Sequence, residues 1–284
     1  MSLRVSFLLL AAAVATAPGA VFAQDSSSAP APAAAQADEP DTDGDLNLSQ
    51  PDFNVITLPT TLRLPRYKSA FRVTHRFLRP MGQGDFGDLA EDLFGLDAGA
   101  QIGLEYRFGL ARGLQTGIYR TSDRTIQLFT QYNLWQQANH LIGLTVIGAI
   151  DGTDNFTDKY SPSLGVVVSR ELGTWGALYA QPIWVNNSNP LPSDVVEDND
   201  TFMVGIGARI RIRPTVYVVG EVVPRTGYAP DVTLGSFAIE KRAGGHTFQL
   251  TFSNGTGTTP SQVARGGTAS DDWYIGFQIS RKFF

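Results

Sequence analysis

The sequence predicts an all-β chain folded as an antiparallel, up-and-down transmembrane β-barrel of about twelve strands, with one short helix in the first external loop. Three observations carry this. From 68–284, apolar residues recur at every second position in segments of about 8–12 residues, which is the strand period. The connections between segments alternate long and short. Beyond the first 23 residues there is no apolar run of the ~18 residues a spanning helix needs. The mean hydropathy of −0.07 is what strands with one lipid face and one wet face average to.

Residues 1–23 carry Arg4, an apolar stretch and Val21-Phe22-Ala23, and are read as a secretory signal peptide cut after Ala23. Residues 24–67 are read as a disordered, acidic, Ala/Pro-rich periplasmic tail and lead-in, and 68–284 as the barrel. The stretch 24–54 holds seven acids, no Lys or Arg and few large apolar residues, too few to offset its ordering entropy. Strands are expected at 69–78, 98–108, 114–121, 125–135, 141–150, 163–171, 176–186, 201–212, 215–224, 236–242, 246–254 and 273–284. With both termini in the periplasm, the even connections are short turns and the odd ones external loops, 122–124 alone among them being short. Helix-like spacing at 85–96 supplies the helix of the first loop.

Aromatic and charge placement agree with that topology. Trp135 and Trp175 fall at periplasmic strand ends and Trp184 and Trp273 at external ends, a two-girdle arrangement that suits indole rings at lipid–water boundaries. The external loops hold sixteen acids against five bases, while the rest of the chain from Val55 holds sixteen bases and four acids. A soluble β-barrel would bury its apolar face. Here the opposite face carries Glu105, Arg107, Arg209, Arg211, Glu221, Glu240 and Arg242, too many charges for a dry core.

The first strand, Phe71-Arg72-Val73-Thr74-His75-Arg76-Phe77, is followed by Asp92-Leu93-Phe94-Gly95-Leu96-Asp97 and, after a second strand, by Gly117-Ile118-Tyr119-Arg120-Thr121. This order resembles an uncharacterised family of bacterial β-barrel proteins, domain-of-unknown-function family 5777, over roughly 68–284. The resemblance implies an outer-membrane barrel without a settled activity. The terminal Phe284 also resembles the aromatic end of outer-membrane proteins read by the barrel-assembly machinery. The apolar set Ile275, Phe277, Ile279 runs in register with Phe283 instead, so either Phe283 is the effective signal or a terminal bulge shifts the phase.

The lumen candidates are Arg72, Arg76, Glu105, Arg107, Arg209, Arg211, Glu221, Glu240, Arg242 and Lys282, seven bases against three acids. Such a set either pairs across strands and fills the lumen or selects anions as charge rings do. His75, His140 and His246 have no metal-binding spacing, and no His shares a mid-strand lumen position with Ser, so no cofactor, metal or enzymatic activity is expected. The run 151–158 lacks the Gly and Glu of an EF-hand. Glycine-rich 255–267 lacks the Lys-Ser/Thr of a P-loop and is expected to be a mobile loop. With 22 Lys+Arg against 27 Asp+Glu, a nucleic-acid partner is not expected. The absence of cysteine excludes disulfides and thiolate metal sites. The expected partners are outer-membrane lipid and lipopolysaccharide, the barrel-assembly machinery and a small anionic solute. The functional reading is a structural or surface barrel with an Arg-rich, largely side-chain-filled lumen. A narrow passive channel for small anionic solutes is the first alternative, and a soluble periplasmic ligand-binding barrel the second.

Overall fold

The computed structural model describes residues 47–83, 85–91, 99–191, 195 and 199–283. The expected signal peptide, the rest of the chain before Asn47, Phe284 and the acids Asp92, Asp97, Asp194, Glu197 and Asp198 lie outside the described residues. In order, the elements are β1 (Ser69–Phe77), α1 (Phe86–Glu91), β2 (Ala100–Ala111), β3 (Leu114–Thr121), β4 (Ile126–Trp135), β5 (Gly143–Gly152), α2 (Thr153–Phe156) and β6 (Tyr160–Glu171). There follow β7 (Gly176–Val185), β8 (Thr201–Arg213), β9 (Val216–Val223), β10 (Leu234–Ala243), β11 (His246–Ser253), α3 (Pro260–Val263) and β12 (Tyr274–Phe283). Pro224, which has no N–H to donate, interrupts β9, and the strand resumes as Arg225–Thr226 against Met203 and Phe202 of β8.

Each strand pairs antiparallel with its sequence neighbours, and β1 closes the ring on β12 from Ser69↔Phe283 to Arg76↔Gly276. Closure removes the unpaired edges that no lipid could satisfy. The barrel has a near end, where β1 starts and β12 finishes, and a far end with the longer connections. Near-end turns are tight except 136–142 between β4 and β5. Gly244 and Gly245, both at positive φ, join β10 to β11 as a two-residue hairpin turn requires. Bulges lie at the near ends of β2, β4 and β8. The one in β4 takes Trp135 out of the inward phase of Gln131 and Asn133 and sets it opposite outward Leu144.

The outer face is a belt of exposed Phe71, Leu104, Tyr106, Ile118, Leu128, Leu164, Leu178, Ile206, Ile210, Phe237, Ile239 and Leu250. A contiguous apolar band of this extent fits lipid and not water, which sets aside the soluble alternative. Among the described residues, no helix is long and apolar enough to cross a membrane.

Two expectations are corrected here. The described part of 24–67 is no lead-in. Residues 49–64 form a hairpin finger inside the barrel, closed by hydrogen bonds from Val55 N to Leu58 O (2.7 Å) and Thr60 N to Phe53 O (2.8 Å). Phe53, Val55, Ile56, Leu58 and Leu64 are all buried. The physical reason is width. Eight strands can be filled by side chains alone, whereas twelve leave room for main chain as well. Likewise 255–267 is not a mobile loop at the described residues. Thr258, Thr259, Ser261, Gln262, Val263 and Ala264 are buried, with a capping box between Thr259 and Gln262 starting α3. The first-loop helix forms over Phe86–Glu91, and the rest of the expected span lies largely outside the described residues.

Candidate functional site

The period of two dictates which side chains enter the barrel, and the wall strands position them. Arg72, Arg76, Glu105, Arg107, Arg209, Glu221, Glu240 and Arg242 are all buried on the inner face. Arg211 and Lys282 stand at its near rim, half-buried. The finger meets five of them, Arg72, Arg107, Arg209, Glu221 and Lys282. Glu221 accepts hydrogen bonds from the backbone N–H of Ile56 (3.1 Å), Thr57 (3.0 Å) and Leu58 (3.3 Å), and from the Thr57 hydroxyl. A carboxylate cupped by successive N–H groups of a tight turn is a charge-assisted anion nest, here with the wall supplying the anion.

The carbonyls of the finger are held just as closely. Arg209 donates to Asn54 O (2.7 Å), Gln249 to Val55 O (2.8 Å), and Gln278 to Ile56 O (3.1 Å). Gln181 donates to Pro59 O (2.8 Å), Asn133 to Thr61 O (2.8 Å) and Gln115 to Leu62 O (3.0 Å). These wall residues come from strands all around the ring. Phe53 lies against the Arg107 guanidinium, 5.0 Å from its ring centre, and Phe129 lies 4.6 Å away from the same group.

One pair, Arg72 with Glu105, joins neighbouring strands as the sequence leads one to expect; Arg107 pairs with Glu105 along its own strand, Arg209 pairs with Glu240 two strands away, and Glu221 is taken by the finger. Glu105 bridges Arg72 (2.5 Å) and Arg107 (2.9 Å), and Arg209 meets Glu240 at 2.9 Å with both side chains fully buried. Arg76 differs. It is 1% exposed, donates to Thr251 Oγ1 (2.9 Å), and leaves Nε and Nη2 without a hydrogen-bond partner.

The far half is closed by 255–264. Tyr119 hydroxyl contacts Thr74 Oγ1 (2.6 Å) and donates to Thr258 Oγ1 (2.8 Å). Asp151 accepts from Ser261 N–H (2.8 Å), and Gln262 donates to Asp123 (2.7 Å). Val263 and Ala264 pack with Leu58, Ile183, Val185, Met203, Val223 and Leu234. A cavity of about 40 Å³ remains between finger and α3, lined on one side by Arg72, Glu105 and Gln127 and on the other by Ile183, Met203 and Val263. A second, of about 310 Å³, opens at the near end beside Arg63, Trp135, Glu171 and Lys282.

The girdle residues Trp135, Trp175 and Trp184 are exposed, the first two at the near end and Trp184 at the far end of β7. Trp273, half-buried, packs on Phe237 just before β12. Phe283 faces outward in unbroken register with Ser69, so no bulge shifts the phase up to that residue. Among the described residues, no group of acids and histidines is placed to hold a metal ion. His75 sits on the outer face between the rings of Phe77 and Phe277, His140 against Trp135, and His246 near Arg281 and Phe248.

Residues 52–283 match the model of a family described as the membrane bound beta barrel domain, domain of unknown function 5777. The chain belongs to this family. No curated protein matches. Among solved structures, the NanC porin shares the fold at 7% identity and TM-score 0.51, covering 76% of this chain and 99% of the porin. An outer membrane channel from Pseudomonas putida F1 is 13% identical with TM-score 0.46, over 78% and 98% of the two chains. The outer membrane phospholipase A of Escherichia coli is 10% identical with TM-score 0.42, over 83% and 95%. The chain is thus a membrane-bound β-barrel with a fold similar to that of the NanC porin.

Proposed function

We propose that the protein is a barrel of the outer membrane that is closed at rest, a structural or surface component and not an enzyme, whose Arg-rich lumen is filled by its own finger and far loop. The observation that carries this reading is the capture of the finger main chain by wall side chains from around the ring. Export by a signal peptide cut after Ala23 puts the near end in the periplasm. It also delivers the chain to the barrel-assembly machinery, with Phe283 or Phe284 as the aromatic signal. The girdle seats the apolar belt in lipid, and the acidic far loops face lipopolysaccharide.

Purified full-length protein in a planar bilayer is expected to give no steady current, and a steady current through the unaltered barrel would overturn the reading. Heat-modifiable gel mobility in the outer-membrane fraction checks the location.

A further inference from the structure

The wall holds the finger by side chains alone. Among the described residues, 49–64 make no main-chain hydrogen bond to a strand, because the closed ring has already spent its own N–H and C=O groups. The finger also enters and leaves by the same rim. Asn47 and Gln50 bond Glu171 at the near end of β6, while Tyr67 and Lys68 pair with Gly109 at the near end of β2. A hairpin anchored so can be withdrawn without crossing the wall.

We propose that the finger is a removable stopper, and that the lumen it covers is a conduction path for small anions; this rests on the closed barrel proposed above. The donors that hold the finger are aimed at carbonyl oxygens, and Arg209, Arg72, Gln249, Gln278, Gln181 and Asn133 present the same N–H groups to any oxyanion or halide entering in its place. Their charge balance favours anions. Counting Arg225, Asp151 and Glu171 with the seven bases and three acids predicted for the lumen, eight bases face five acids.

The finger leaves part of that positive charge unsatisfied. Arg76 keeps Nε and Nη2 unpartnered, and Arg209 keeps Nε and Nη1. Water and anions in an open lumen would satisfy those groups, so opening recovers solvation that the closed state forgoes. Glu221 is the latch, since it alone bonds three consecutive N–H groups of the tip.

The chain has no cysteine, so an introduced pair reports without background. Thr61 and Ser169 are in direct hydroxyl contact between finger and wall, within reach of a disulfide after Thr61→Cys and Ser169→Cys. The test measures planar-bilayer current in potassium chloride for the full-length barrel carrying Glu221→Gln, with and without this lock. A second barrel has residues 53–62 replaced by two glycines, and both variants are built on a barrel in which 257–264 are likewise replaced by two glycines, because that loop closes the far half of the lumen. Heat-modifiable mobility establishes that each variant is folded.

Expected are steady currents through Glu221→Gln and the shortened finger, with reversal potentials reporting chloride several-fold more permeant than potassium. The oxidised lock is expected to abolish the Glu221→Gln current and a reductant to restore it. The proposal is overturned if neither folded variant conducts, if the oxidised lock conducts as well as the reduced form, or if potassium is preferred. Failure of the closed-barrel reading is a different result, current through the unaltered barrel.

Discussion

Leu58 fills the space that Gly205 leaves: a Cβ on Gly205 would stand 2.4 Å from Leu58 Cδ1. Two positions along the same strand, a Cβ on Gly207 would stand 3.2 Å from Val55. The small-residue row of β8 is therefore the seat of the finger. Gly205→Leu is expected to expel Leu58 at a cost of about 1–3 kcal/mol, the usual range for overpacking. Limited proteolysis checks it: residues 49–64 should become cleavable while the barrel remains resistant, and unchanged protection of the finger would refute the packing.

Arg209 and Glu240 are buried as a pair, so truncating one partner leaves the other as an uncompensated charge. Arg209→Ala should lower stability by about 3–5 kcal/mol. Replacing both, Arg209→Met with Glu240→Leu, should recover most of that loss. The readout is the urea midpoint of the folded band in lipid vesicles, and equal loss in single and double variants would show that the pairing is not the cause.

Tyr119 reaches across the far half of the lumen to join Thr74 on β1 to Thr258 in the far loop. Tyr119→Phe removes those bonds with little change of shape, at about 1 kcal/mol. Hydrogen exchange should quicken in 255–264 and stay unchanged in β5 and β6. Exchange that stays slow in the loop would mean that α3 packing alone holds it.

Outward placement of Trp135, Trp175 and Trp184 predicts where each indole sits in a membrane. In single-Trp variants reconstituted with brominated lipids, bromines near the headgroup should quench all three more strongly than bromines near the chain end. Deeper quenching of any one of them would shift the lipid boundary drawn here.

The strand phase was legible because lipid outside and polar groups inside repeat every two residues. Thus the ten inward candidates, from Arg72 to Lys282, fall on the inner face or its rim. The finger was not legible. Its apolar residues Phe53, Val55, Ile56, Leu58, Leu62 and Leu64 are interrupted by Pro59 and three threonines and follow neither period, and an acidic, Pro-rich stretch precedes them. A signal was present all the same, since that cluster is out of keeping with the composition upstream of it. Inner apolar residues such as Tyr179, Ile183, Tyr217 and Val219 were a second hint, because a wet lumen gives them nothing to cover, whereas Val55, Ile56 and Leu58 do. The far loop was misjudged for a related reason: glycine content describes freedom in isolation, and Asp151, Asp123 and Tyr119 supply the partners that remove it.

The carbonyl of Ile56 receives Arg72 from the first strand (3.5 Å) and Gln278 from the last (3.1 Å), and those two side chains bond each other at 3.2 Å. One peptide group thereby rivets the seam where the two ends of the sheet meet. Seating the rivet and shutting the seam favour each other by the same free energy. The segment ahead of the first strand is thus part of how the ring is held together as well as what lies within it.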